Sequence, residues 1–133
     1  MIRLTLSEPT PLLNVWQRWH WQQRRRYTQH VRLELRSQII PPKEPLARCH
    51  IEIKRYSIGL PDWDGLFASA KAPLDCLVVQ TKQNPHGLGI IEDDNPKCVL
   101  TLTVKPVQVK HKAEQRTEII VTPANDNEVS EYE

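Results

Sequence analysis

The segment from Leu46 to Tyr56, "LARCHIEIKRY", sets Cys49, Ile51 and Ile53 at alternate positions among polar or charged neighbours. A period of two marks a strand with one buried face and one wet face, so it commits the chain to a sheet covered on one side. Ile2 to Leu6 alternates in the same way and is closed by "SEPTP". "VLTLTV" at 99–104 and "TEIIVT" at 117–122 supply two more strands, expected to pair as a hairpin across a basic loop. Helical periodicity predicts one long helix over 15–39, stopped by Pro41 and Pro42, and a second over 64–79 in which Pro73 is expected to introduce a kink. "QNPHGLG" reads as a loop. The order β-α-β-α-β-β predicts an α+β fold: a single small domain, with a mixed sheet of about four strands and its helices packed on one face.

The chain length of 133 residues suits one domain, expected to cover residues 1–122. The remainder, 123–133, carries four acids and no base and is expected to be a disordered acidic tail. No apolar run approaches the roughly 18 residues of a membrane span. The opening "MIRLTLSEPTPLLN" is interrupted by Ser7, Glu8 and two prolines, which does not suit a secretory leader. Cys49, Cys76 and Cys98 are odd in number and lack CxxC spacing, so they exclude a disulfide framework and a zinc site and fit a cytoplasmic protein with reduced thiols.

Net charge is only +2, but without the acidic tail it rises to about +6, and the charges are segregated. On a helical wheel over 15–39, Arg25, Arg32 and Arg36 fall within about 40° of Arg18, while Trp16, His20, Tyr27, Val31 and Leu35 lie toward the other side. Glu34 is the only acid between residues 9 and 43. Such a ridge would run ~27 Å from Arg18 to Arg36 and suits contact with successive phosphates; a solvated basic face is the alternative. Lys105, Lys110, Lys112 and Arg116 form a second basic patch.

The acids gather at Asp62-Trp63-Asp64 and at Glu92-Asp93-Asp94. Two carboxylates at i and i+2 on an extended segment share a side and suit a hard cation such as Mg²⁺. Asp64 equally suits the N-cap of the helix that follows, leaving Asp62 a solvated acid. Lys71 and Asp75 share a helix edge with Asp64, so the lysine either serves phosphate chemistry or makes an i,i+4 pair with Asp75.

Taken together, "DWDGLFASAKAPLDCL" followed by "GIIEDD" resembles the RusA family of Holliday-junction resolvases, a phage and prophage family. Asp62, Asp64 and Leu66 match its Asp-x-Asp-Asn-Leu stretch; Lys71, Ala72, Asp75 and Leu77 match its helix motif; Gly89, Asp93 and Asp94 match its later Gly-x-x-x-Asp-Asp. "PLLN" with Asn14 is similar to the N-terminal segment. Gly65 departs from the usual asparagine, and the interval from the acid pair to Lys71 is nearly one helical turn longer. The resemblance implies a Mg²⁺-dependent (or Mn²⁺-dependent) homodimeric endodeoxyribonuclease that resolves four-way DNA junctions by paired nicks. It implies metal ligation by Asp62, Asp64 and Asp94, charge stabilisation by Lys71, and support from Asp75 and Asp93 behind the ligands. DNA would be held by Asn14, Arg18, Arg25, Arg32, Arg36, Lys105, Lys110, Lys112 and Arg116, with Trp16, Trp19 and Trp21 available to stack on bases, core packing being the alternative for Trp16 and Trp19.

Overall fold

β1 (Ile2–Leu6), β2 (Cys49–Ser57), β3 (Val99–Gln108) and β4 (Arg116–Pro123) form one sheet in the order β1-β4-β2-β3. The computed structural model describes residues 1–125, 127 and 128. β4 runs antiparallel to both β1 and β2, and β2 runs parallel to β3, so the sheet is mixed. The alternation read from the sequence sets its two faces. Cys49, Ile51, Ile53, Arg55 and Ser57 of β2 are buried, while His50, Glu52, Lys54 and Tyr56 lie on the open face.

The buried face receives Leu4 and Leu6 of β1 and Ile119 and Val121 of β4. Of the helices α1 (Leu13–Arg18), α2 (Trp21–Arg36), α3 (Trp63–Ala68) and α4 (Lys71–Leu77), the last three contribute Val31, Leu35, Leu66, Cys76 and Leu77 to the same core. Each such Leu or Ile contributes about 1.5–3 kcal/mol by leaving water. The α+β domain with helices on one face is the architecture that the periodicities predicted.

Three local expectations fail for physical reasons. β3 and β4 are not a hairpin, because β2 lies between them. The connection over 58–98 carries α3 and α4, the kind of long crossover that a parallel β2–β3 pair requires. β4, with Ile119 and Val121 fully buried, takes an interior place between β1 and β2, and β3 is left at the edge with Leu102 exposed. The long helix is two, because Trp19 and His20 are extended and the His20 ring accepts a hydrogen bond from the Gln22 amide at 3.3 Å, capping α2. The second helix also breaks, at Ser69 and Ala70, which places Pro73 in the first turn of α4. The break falls four and three residues before Pro73, whose ring crowds the Ser69 carbonyl and whose missing amide leaves it without a helical donor, so the expected kink is a full break.

Within the stretch expected to be a disordered acidic tail, Pro123 ends β4. Ala124 N–H donates to the Arg48 carbonyl at 3.1 Å, and the Glu128 carboxylate lies 3.0 Å from the His50 ring and accepts from the Asn125 amide at 2.6 Å. The rest of that expected tail, residue 126 and 129–133, lies outside the described residues.

Candidate nucleic-acid interface

Arg25, Gln29 and Arg32 stand at i, i+4 and i+7 on α2 and therefore share one face. Opposite them the chain leaving α4 brings Gln80, Pro85 and His86, and the two sides enclose a cleft of about 390 Å³. The loop owes its path to two devices. The Asn84 side-chain amide donates to the carbonyls of Asp75 (2.9 Å) and Val79 (3.3 Å), tying the loop back onto the end of α4. Gly87 passes so close to the Val78 carbonyl and to the backbone of Val79 and Gln80 that no Cβ fits there. His86 is fixed by both.

The cleft is unbalanced in charge. Neither Arg25 nor Arg32 makes an ion pair among the described residues, and the Arg32 Nε is buried without a hydrogen-bond acceptor. The His86 imidazole is held below its ordinary pKa, first by burial and then by Arg25 and Arg32, with Asp75 opposing them.

Asp75 is also the link to an acidic cleft of about 280 Å³, lined by Asp75, Thr81, Asn84, Glu92, Asp93 and Asp94. The apolar residues ahead of the acids bring them here. Leu88 and Ile90 amides donate to the carbonyls of Cys76 and Leu77, Ile91 forms bridges to Val78 and Leu46, and Ile90 and Ile91 are fully buried. The next residues must then emerge beside α4. Asp93 accepts from the Asp94 amide (2.8 Å) and from the Asn95 side chain (2.9 Å). The Asp94 carboxyl is pushed above the usual aspartate range by partial burial, then by Asp93 and, more weakly, by Asp75. Lys71 reaches Asp75 at 3.6 Å, the i,i+4 pair that the sequence allowed.

Asp62, not Asp64, occupies the N-cap of α3, and its side chain makes no capping bond; Asp64 sits in the first turn. Both carboxylates are exposed, so neither is consumed by the cap. Asp62 and Asp64 start α3, whereas Asp94 meets Asp75 and Asp93 beside α4. Among the described residues no three His, Cys, Asp or Glu side chains are grouped to hold a metal ion. Asp62 and Asp64 thus lie on one element and Asp94 on another, and the three are not grouped as a set among the described residues.

The expected DNA contacts divide in two. Arg18 belongs to α1 and falls out of phase with α2, which shortens the ridge to the ~17 Å from Arg25 to Arg36. On the open sheet face Lys105 pairs with Glu52 at 3.0 Å, and Arg116 pairs with Glu118 at 2.9 Å while lying 3.8 Å over the Tyr56 ring. Lys110 and Lys112 are exposed in the β3–β4 connection, and Asn14 is exposed with its side chain accepting from the Val15 amide. Trp16 and Trp19 pack with Tyr27 at ring separations of 5.6–6.0 Å, leaving Trp21 exposed. Sequence reasoning missed Trp63 and Phe67 as an exposed aromatic pair beside Asp62 and Asp64. It also missed His86, whose one local signal was the "PHG" turn inside a stretch read only as loop.

No protein-family model matches this chain, and neither the curated proteins nor the solved structures contain a significant match.

Proposed function

We propose that this chain is a structure-specific endodeoxyribonuclease of the RusA kind, acting as a Mg²⁺-dependent homodimer on four-way DNA junctions. The observation that supports this reading is the adjacency of a cation-rich cleft and an acidic cleft, with Asp75 lining the acidic one and acting electrostatically on His86 of the other. Arg25, Arg32 and Arg36 would hold the phosphate backbone, giving steeply salt-dependent binding. Lys71, at the rim of the acidic side, would offer positive charge to a phosphate there. Two symmetric nicks require two sites related by a two-fold axis, which is the reason for a homodimer. No catalytic step is assigned to a metal ion, since the three aspartates are not grouped as a set among the described residues.

A second reading is a DNA-binding protein of recombination without chemistry of its own. Incubation with synthetic four-way junctions and flaps, in Mg²⁺ or Mn²⁺, separates the two. The nuclease reading expects paired symmetric nicks on the junction, lost in Asp94→Asn. Salt-sensitive junction binding with no nick at any concentration of either metal leaves the binding protein, and unpaired cuts confined to flaps indicate a flap nuclease.

A further inference from the structure

A buried guanidinium nitrogen without an acceptor calls for an explanation, because such a group gives up its hydration and gains nothing within the fold. Arg32 Nε is in that position. Arg32 also lines a cleft where a second arginine, a histidine and two side-chain amides, Gln29 and Gln80, face the same space, and where no carboxylate is among the lining residues. Gln80 already donates to the Pro85 carbonyl at 3.1 Å, which holds that wall in place. An ordinary solvated surface mixes signs; here like charges are kept together by a loop whose path depends on Gly87 and Asn84.

We infer that Arg25, Arg32 and His86 form a phosphoryl-binding cradle, whose ligand is a phosphate group of a nucleic acid. Chemistry selects the ligand. Two guanidinium forks match the oxygens of a phosphate in bidentate fashion, and a protonated imidazole adds a third charge-assisted donor. Leu33, exposed at the margin of the cleft, and Pro85 give an attached sugar an apolar surface to rest on. The cradle deepens the DNA-binding part of the proposed function but does not depend on nuclease chemistry. A phosphoryl group can reach it as a free ion, as a terminal monoester or as an internal diester.

The geometry carries a pH dependence. The groups facing His86 are Arg25 and Arg32, which disfavour its protonation, and Asp75, which favours it. A bound phosphate offsets the two arginines, so the imidazole takes up a proton on binding, and affinity for a diester, whose charge is constant in this range, rises as pH falls through the histidine range.

The test is NMR titration of the His86 imidazole in the full chain with inorganic phosphate, thymidine 5′-monophosphate and the dinucleotide TpT. The expected result is a saturable shift of the His86 signals and a higher His86 pKa with at least one probe. Arg25→Gln, a change at an exposed position that spares the core, should weaken binding at least tenfold, and Lys43→Gln should leave it unchanged. A response to TpT identifies the internal backbone, and a response to the monophosphate alone identifies a strand end. No shift with any probe, or an equal shift in Arg25→Gln, overturns the cradle. Because His86 is read directly, this outcome is independent of whether junctions are ever nicked.

Discussion

The two basic regions of this protein have similar numbers of cations and differ in what neutralises them. On the open sheet face, Lys105 and Arg116 are held by Glu52 and Glu118, and the Glu52 carboxyl is drawn below its ordinary range chiefly by its bond to Lys105. On α2, Arg25 and Arg32 make no ion pair among the described residues and share their cleft with His86. Cations already paired on an exposed face have little left to offer an incoming anion, since such pairs exchange one partner for another in water. Unpaired and partly desolvated donors keep their full demand. Position on a charge map is therefore a weaker guide than the identity of each cation's neighbour.

The largest expected effect comes from breaking the cleft side alone. Gly87→Ala forces a Cβ against the Val78 carbonyl and the Val79 and Gln80 backbone, and should destabilise by about 1–3 kcal/mol as an overpacked site. Thermal unfolding checks this against Gly59→Ala, where nothing lies within 4 Å and little change is expected. An intermediate effect comes from releasing the sheet face. The double variant Glu52→Gln and Glu118→Gln should raise DNA affinity by about tenfold or less, steepening the salt dependence by roughly one unit for each freed cation that meets a phosphate. Fluorescence anisotropy across a salt series reads both quantities; an unchanged slope would mean that this face never meets DNA. The smallest effect concerns Asp94. Its folded-state pKa is raised, so its favourable contribution is present below the unfolded value near 3.8 and is lost as pH rises through the raised one. Asp94→Asn should thus raise stability at pH 7 by under about 1 kcal/mol, with the gain gone below about pH 4. Denaturant unfolding at the two pH values checks it.

The sequence made the strands legible because burial on one face forces a period of two, and Ile2–Leu6 appears as written. It also identified Arg25 and Arg32 as one helical face and allowed the Lys71–Asp75 pair as one of two readings, both consequences of local geometry. It did not show the break at Trp19, because histidine is an uncommon N-cap and the aromatic packing of Trp16, Trp19 and Tyr27 that accompanies the break is a tertiary contact. The strand order was equally illegible. "TEIIVT" and "VLTLTV" are both apolar enough for an interior strand, and only the crossover through α3 and α4 sends one to the edge.

What the sequence determined by itself is therefore the four strands, their buried faces and the list of chemically capable side chains. Side-chain periodicity and charge are local properties and need nothing else. The tertiary structure alone decided the company those side chains keep. It kept Asp94 with Asp75 and Asp93 without completing a trio with Asp62 and Asp64, paired Lys105 and Arg116 with glutamates, and brought His86 to Arg25 and Arg32. Those encounters depend on where a buried Ile90-Ile91 pair anchors a loop and how closely Gly87 lets backbones approach, and residues far apart in the chain settle both.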